Sequence, residues 1–269
     1  MSDVEAPRPR RYAFGDSAAA SERLAVLASV FAPTSRALLG TLPGAAPAPP
    51  QLVLDLGCGP GHTTAMLAET FPSALVVGID TSPAFVAEAA SAGPGRCRFA
   101  VGDVTRTPLP CAPADVVYGR FLLVHLPEPR STVAAWAGEL RRGGVLVVEE
   151  PEHIETDDPD FRRYLELAAA VVADRGGDLY VGRELVALTP PPGASVLIEQ
   201  EAPLEVVAGS AASIFSLNLG TWGDDPVLRG VARPGEAAAL LARLRDRCAD
   251  RTTGVIKWHM RQLVMTRPG

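Results

Sequence analysis

The strongest chemical signal is a set of glycines at alternate positions in Val53-Leu-Asp-Leu-Gly-Cys-Gly-Pro-Gly61, directly after an apolar segment. A helix is predicted to begin at His62, so its first unpaired N–H groups would face a ligand that lies against the turn. Glycine adopts positive φ and lets a ligand approach the backbone closely. The segment therefore predicts a strand–turn–helix unit that binds a carboxylate or a phosphate, although a dinucleotide-binding loop has a similar pattern.

Three aspartates, Asp55, Asp80 and Asp103, each end an apolar segment. If these segments are parallel strands, the carboxylates meet at one edge of the sheet. Asp80 is placed to accept both hydroxyls of a ribose, and Asp103 to accept the amine of an adenine against the apolar Val104. Asp55 suits an ammonium group, which a pyrophosphate does not supply, but it could equally be a carboxylate that orders the loop.

Three further residues are candidates for proton transfer at the same edge: His125, Glu150 and His153. An imidazole titrates near pH ~6.5, so His125 could take a proton from an acceptor hydroxyl or amine. A histidine that only bonds the nearby loop is an equally good interpretation. Glu150 and His153 follow the fifth apolar segment and are candidates for the substrate pocket.

The elements that must position these residues alternate between short apolar runs and helical segments. The continuous apolar character of the runs is typical of strands covered on both faces. We therefore predict a doubly wound, mostly parallel, seven-stranded sheet with helices on both faces, an antiparallel last strand and a helical lid or cap. The segment Ala18 to Leu42 is predicted to form two short helices interrupted at Pro33. The strands are predicted at Leu52–Leu56, Leu75–Ile79, Arg98–Val101, Val116–Tyr118, Val145–Glu149, Ser195–Glu201 and Trp258–Thr266.

These motifs resemble those of the class I S-adenosylmethionine-dependent methyltransferases, in the branch that acts on small molecules. The glycine segment is similar to that family's first motif, Gly78-Ile-Asp80 to its second and Gly102-Asp103-Val104 to its third. The similarity continues through Asp115–His125 and Leu140–Glu149. It covers residues 51–150, and Tyr12–Asp16 resembles a lid helix of the same branch.

The resemblance implies S-adenosyl-L-methionine as cofactor and S-adenosyl-L-homocysteine as product. Three glycines would lie against the methionyl part of the cofactor, with Asp55 near its amino group and Arg120 at its end. Asp80 would hold the ribose and Asp103 the adenine. The complete expected cofactor-binding set is Tyr12, Asp55, Gly57, Cys58, Gly59, Gly61, Asp80, Thr81, Asp103, Val104, Arg120 and Phe121. The family has no fixed catalytic base, so the resemblance does not choose among His125, Glu150 and His153.

Composition excludes several classes of partner. The net charge of −6 without a basic run disfavours nucleic acid, and no apolar stretch is long enough for a membrane span. The four cysteines form no C-x-x-C pair, so no metal site or disulfide framework is predicted. We expect a cytoplasmic monomer or homodimer whose partner is a small-molecule methyl acceptor.

The predicted organisation is an N-terminal helical lid and linker over residues 1–50, a cofactor-binding core over 51–150 and a cap with the final strands over 151–269. The cap is expected to include helices between Pro203 and Gly254 that shape the acceptor pocket. The predicted function is methyl transfer to an oxygen, nitrogen or carbon atom of a small organic acceptor. Two alternatives stay open: a regulatory or scaffold protein that binds the cofactor without transfer, and an NAD-dependent oxidoreductase. The latter is weaker, because its loop would need a glycine where His62 stands.

Overall fold

The computed structural model describes residues 15–42 and 49–269, so Tyr12 lies outside the described residues. This part of the chain contains seven strands and eight α-helices. The strands are β1 Leu52–Leu56, β2 Leu75–Asp80, β3 Cys97–Val101, β4 Ala114–Arg120, β5 Leu140–Thr156, β6 Ser195–Val206 and β7 Ile256–Thr266. The helices are α1 Ala18–Leu39, α2 His62–Thr70, α3 Pro83–Ala92, α4 Pro129–Gly138, α5 Pro159–Asp174, α6 Ala208–Trp222, α7 Leu228–Val231 and α8 Glu236–Asp246.

The strands form one sheet in the order β3-β2-β1-β4-β5-β7-β6. Strands β1 to β5 pair in parallel, whereas β7 runs antiparallel to both of its neighbours, β5 and β6. The chain order reverses between β1 and β4, and open α/β sheets bind their ligands at such a reversal. The predicted fold class, including the antiparallel last strand, is confirmed.

Helices cover both faces of the sheet because successive strand residues point to opposite sides. Val53 and Leu54 are both fully buried. Val53 packs in a cluster that includes Leu67 of α2, and Leu54 packs in another that includes Trp136 of α4. The apolar run therefore reflects two separate cores. Among the described residues, no helix combines the length and apolarity needed to cross a membrane.

Helix α1 is a single element that continues through Pro33, so the prediction of two short helices is wrong. Proline inside a helix costs about 3 kcal/mol. Here Phe31 is buried on one side of the proline, and Leu38 and Leu39 on the other. Each such side chain contributes about 1.5–3 kcal/mol when buried, so packing outweighs the break.

Strand β5 is much longer than the predicted Val145–Glu149. Its last part, beyond the edge of the parallel strands, pairs with β7, which in turn pairs with β6. One face of this extension packs against α5, α6 and α8 through a cluster that includes Phe161, Phe215 and Trp258. The opposite face carries charged and imidazole side chains.

Candidate active site

The turn after β1 depends on glycine at three positions. Gly57, Gly59 and Gly61 have φ of +64°, +51° and +91°, a region that side chains other than glycine rarely adopt. A Cβ atom at Gly57 would lie 2.8 Å from Leu122 Cδ1, and one at Gly61 would lie 3.0 Å from the Cβ of Ala89. The backbone of the turn therefore lies close to Leu122 and Ala89, and α2 begins directly after Gly61.

A cavity of about 1,110 Å³ lies at the carboxyl ends of the parallel strands. Gly57, Cys58 and Gly59 form one wall. Leu24 and Leu27 of α1 contribute a second, apolar wall. The cavity is therefore bounded by both the glycine turn and the N-terminal helix.

Asp80 connects the glycine turn to the end of β2. Its Oδ2 accepts a hydrogen bond from the N–H of Gly59 at 2.9 Å, and its Oδ1 accepts one from the N–H of Ser82 at 2.8 Å. Burial raises the pKa of the Asp80 carboxyl, and these N–H donors oppose that shift. Asp80 and the following Thr81 both line the cavity, so the carboxylate can also receive hydroxyl groups from a ligand.

Asp103 lines the cavity next to the end of β3. Its Oδ1 accepts hydrogen bonds from the N–H and the hydroxyl of Thr105 at 3.0 and 2.6 Å, and Arg106 pairs with its Oδ2 at 3.3 Å. The adjoining Val104 also lines the cavity, and its carbonyl accepts a hydrogen bond from the indole of Trp136 at 2.8 Å. The core of the sheet thus fixes the backbone beside this carboxylate.

Asp55 and Gly61 are not part of the cavity wall. The Asp55 carboxylate is buried behind the turn and accepts a hydrogen bond from the Thr64 hydroxyl at 2.6 Å. Burial raises the pKa of Asp55 to about 7, against the opposing effects of Thr64 and the Arg120 charge. The sequence leaves two roles for Asp55, the binding of an ammonium group and the ordering of the loop. This geometry favours a carboxyl that orders the turn.

Arg120 and Phe121 line the cavity at the end of β4. Arg120 Nη1 donates to the Ser35 hydroxyl of α1 at 2.8 Å, which joins the helix to the strand edge. Phe121 has φ of +53° and packs edge-on against Phe31, with ring centroids 4.8 Å apart. A bulky residue at positive φ is strained, and such strain is common beside ligand sites.

His125 reaches the cavity from a short 3₁₀ helix, Leu123–His125. Burial and, to a smaller extent, the positive charges of Arg23 and Arg175 lower the pKa of its imidazole to about 3. The imidazole is therefore neutral at pH 7. A group with so low a pKa is a weak general base.

Glu150 lies behind the cavity wall and supports the turn that carries His125. Its Oε1 accepts hydrogen bonds from the N–H groups of Leu122 and Leu123, both at 2.8 Å. Burial raises the pKa of its carboxyl to about 8. This contact makes Glu150 a positioning residue for the His125 turn.

His153 is also away from the cavity. It lies on the extension of β5, where its ring stacks on His259 with centroids 3.8 Å apart. The structure thus brings His125 to the cavity and leaves Glu150 and His153 outside its wall.

Arg175, just after the end of α5, is a cavity residue that the sequence analysis missed. Its Nη2 donates to Asp225 Oδ2 at 2.6 Å, and its side chain is 27% exposed. No motif surrounds it in the sequence, and only the packing of α5 over the sheet edge brings it near His125. The described residues between 203 and 254 do not line the cavity, so they contribute to it through contacts such as the one between Asp225 and Arg175.

Residues 53–144 match the family model of the methyltransferase domain. This part of the chain is a methyltransferase domain. The matched residues lie within residues 51–150, where the sequence motifs resemble those of this family. The resemblance is confirmed, and so is S-adenosylmethionine as the cofactor of such a domain.

Curated relatives and solved structures agree with the domain. The chain is 40% identical over 121 residues to trans-aconitate 2-methyltransferase of Methylobacterium radiotolerans, a match that covers 45% of each chain. It is 38% identical over 127 residues to the Streptomyces avermitilis protein of the same name, covering 45% of this chain and 46% of that one. The matches thus span a little under half of the length of these relatives.

Two solved structures share the fold at low sequence identity. One is a Bacillus halodurans protein described as a methyltransferase, with a TM-score of 0.58 and 16% identity, covering 88% of this chain and 100% of that one. The other is phosphoethanolamine N-methyltransferase 2 of Haemonchus contortus in complex with phosphomonomethylethanolamine and S-adenosylhomocysteine. Its TM-score is 0.51 at 16% identity, covering 93% of this chain and 53% of that one.

Proposed function

We propose that this chain transfers the methyl group of S-adenosylmethionine to a carboxylate oxygen of a small organic acid. The observation that carries the proposal is the pairing of a neutral, weakly basic His125 with the positively charged Arg175 at one side of the cavity. Such a site has no strong base for an alcohol or an ammonium group. It suits an acceptor that is already an anion.

We propose that the residues around the glycine turn hold the cofactor. In this proposal the glycine turn lies against the methionyl group, Asp80 accepts the ribose hydroxyls and Asp103 accepts the adenine amine. The close approach at Gly57, where a Cβ would lie 2.8 Å from Leu122, supports a turn built for backbone contact with a ligand. Asp55 acts through Thr64 on the shape of the turn.

A carboxylate acceptor makes the chemistry simple for the protein. The bound cofactor supplies a methyl group on a positively charged sulfur. A carboxylate lone pair forms the new O–C bond as the C–S bond breaks, and the electron pair of that bond stays on sulfur. No proton is released, because carboxylic acids with a pKa near ~4 are already ionised at neutral pH. Catalysis then rests on alignment at about 3–3.5 Å and on exclusion of water.

The residues around the acceptor have matching tasks in this proposal. Arg175 attracts and orients the carboxylate, and its contact with Asp225 holds the guanidinium in place. His125 offers a hydrogen bond to the acceptor. Leu24 and Leu27 of α1, together with Val172 of α5, exclude water from the site. The lid and cap are thus proposed to be α1 and α5, with the helices after Pro203 behind them.

The names of the curated relatives support the same acceptor class. They are trans-aconitate 2-methyltransferases, named for an organic acid with several carboxylates. The net charge of −6 disfavours nucleic acid as the acceptor, in line with a small acceptor.

The test is transfer of a labelled methyl group to a panel of di- and tricarboxylic acids, each paired with its amide or alcohol analogue. We expect label to enter the acids alone, in a product that alkali hydrolyses as a methyl ester. Transfer to the amine or alcohol partners instead would overturn the acceptor class. Cofactor binding without transfer to any compound would favour a scaffold role, and tight NAD binding without a response to S-adenosylmethionine would favour an oxidoreductase.

A further inference from the structure

A second cluster of chemically active side chains lies on the extension of the sheet, outside the cavity. It consists of His153 and Glu155 on β5, His259 on β7 and Glu201 on β6. His153 and His259 are direct partners in the antiparallel pairing of β5 and β7. Residues two apart on a strand share a face, so Glu155 lies beside His153, and Glu201 is a diagonal neighbour of His259.

The nitrogen and oxygen atoms of this cluster converge. His153 Nε2 and His259 Nε2 each lie 3.4 Å from the same atom, Oε1 of Glu155. The two rings stack with an interplanar angle of 15°. Three potential ligand atoms, one from each residue, lie within 4.8 Å of one another. Topology rather than sequence spacing creates this group.

His259 provides an independent indication of a bound cation. It is only 5% exposed, and its Nδ1 lies 2.5 Å from Glu201 Oε1, so the carboxylate holds a proton on Nδ1. In the neutral form of this ring, Nε2 carries the lone pair. Within residues 15–42 and 49–269 this buried atom has no hydrogen-bond partner, and it faces the Glu155 carboxylate. A cation bound between Nε2 and that carboxylate would satisfy both atoms.

We propose that His153, Glu155 and His259 bind a divalent transition-metal ion of the zinc type, oriented by Glu201. Zinc binds histidine nitrogen and carboxylate oxygen at about 2.0–2.2 Å in a tetrahedron, which places ligand atoms about 3.3–3.6 Å apart. Two of the three separations already have this value. Glu201 supplies the carboxylate that commonly orients a metal-bound histidine through its other nitrogen.

Metal binding requires one side chain to move. The lone pairs of two stacked rings run parallel, so the ring of His153 must tilt toward the metal. Its side chain is 33% exposed, whereas that of His259 is 7% exposed and held by Glu201. His153, which is the more exposed of the two histidines, is thus the ligand that moves. A water molecule is proposed as the fourth ligand of the metal.

The surrounding charges leave the cluster acidic. The nearby guanidinium of Arg261 is held by both carboxylate oxygens of Glu152 at 2.8 Å, and it also lies 3.6 Å from Glu199. Lys257 is a further cationic neighbour of Glu155 and competes with the metal for it. None of the four cluster residues lines the cavity, so this site is independent of the proposed methyl transfer.

The test uses the full chain, stripped of metal by a chelator and titrated with Zn²⁺ by calorimetry. We expect one ion per chain with a Kd of about 10 µM or tighter, a rise in Tm, and tetrahedral absorption bands with Co²⁺. His153→Ala and Glu155→Gln should each weaken binding at least about tenfold, and Glu201→Gln about 10- to 100-fold. The matched control His62→Ala removes a histidine from the cavity and should bind Zn²⁺ normally.

Two results would overturn the proposal. One is Zn²⁺ binding that survives both His153→Ala and Glu155→Gln but disappears in Cys111→Ser, which would assign the ion to the exposed thiol of Cys111. The other is absence of binding at about 100 µM Zn²⁺ together with a protonated His259 or His153 in nitrogen-15 NMR spectra at pH 8. A proton would then supply the positive charge. Both readouts are independent of methyl transfer.

Discussion

Asp80 at the end of β2 accepts a hydrogen bond from the Gly59 N–H at 2.9 Å, so a strand end and the glycine turn share one carboxylate. This contact shapes the turn before any ligand arrives. The same carboxylate lines the cavity, which gives it two tasks.

We expect Asp80→Ala to weaken S-adenosylhomocysteine binding by at least about tenfold, or ~1.4 kcal/mol, with the fold retained. The change removes the ribose acceptor and the partner of Gly59 together. Calorimetric titration measures the affinity, and circular dichroism checks the fold. Asp224→Ala, at an exposed aspartate, is the control and should bind normally. Unchanged affinity in Asp80→Ala would contradict the ribose role.

Replacing Arg175 should separate acceptor binding from cofactor binding. We expect Arg175→Ala to raise the KM for a carboxylate acceptor about 10- to 100-fold, because a charge-assisted contact contributes about 1.5–3 kcal/mol. Affinity for S-adenosylhomocysteine should not change. Arg130→Ala removes an exposed arginine that pairs with Glu184, and it should leave both quantities as they are. An equal loss of both affinities in Arg175→Ala would indicate a structural role.

The rate of methyl transfer should lack the pH dependence of a histidine base. The pKa of His125 is lowered to about 3, so the imidazole stays neutral from pH 5.5 to pH 8. We expect kcat/KM for a carboxylate acceptor to vary less than about threefold over this range, and His125→Gln to retain at least about a tenth of kcat. A rise in rate with a midpoint near pH 6–6.5 would show that His125 does act as a base.

Glu150 should make the stability of the protein depend on pH. Its pKa is raised to about 8 in the folded protein, above the value near 4.3 of an unfolded glutamate. The folded state therefore binds the proton more tightly, and its stability falls as pH rises between these values. Glu150→Gln keeps an oxygen for the N–H groups of Leu122 and Leu123 but does not titrate. Relative to wild type, it should gain about 1–3 kcal/mol in free energy of unfolding between pH 5 and pH 8.

Urea unfolding at the two pH values measures this difference. The control is Glu184→Gln, at a glutamate on the surface that pairs with Arg130. Parallel pH curves for wild type and Glu150→Gln would show that the buried carboxyl does not carry the effect.

The cofactor side of the site could be predicted from sequence because its signals are local. A buried strand, alternate glycines and a helix start occupy one short segment, Asp80 ends the next strand, and Asp103 lies just beyond the end of the third. Parallel strands bring such ends to one edge, so spacing along the chain translates into position. The mostly parallel sheet and its antiparallel last strand were also predicted, whereas the order of the strands comes from the structure.

The rest depends on contacts between distant parts of the chain. Arg175 reaches the cavity through the packing of α5, and His153 meets His259 through the register of β5 and β7. Glu150 has the residue type and place of a base, but its carboxyl points to the backbone of the next turn. Pro33 predicted a helix end, yet burial on both sides of it carries α1 through. The burial of side chains and the pairing register of the strands decide the positions of these residues. Neither can be predicted from a single segment of the sequence.

Helix α1 has a consequence for the order in which the protein assembles. It leaves the ribosome early, but Phe31 packs against Trp258 of the last strand, and α1 as a whole packs against α6. Contacts between such distant segments form late, because the chain between them must first be ordered. The parallel strands can therefore pair while α1 still lacks its final partners. The wall that α1 gives the cavity is then completed only after β7 has been synthesised, so nascent chains should acquire ligand binding only once β7 has left the ribosome.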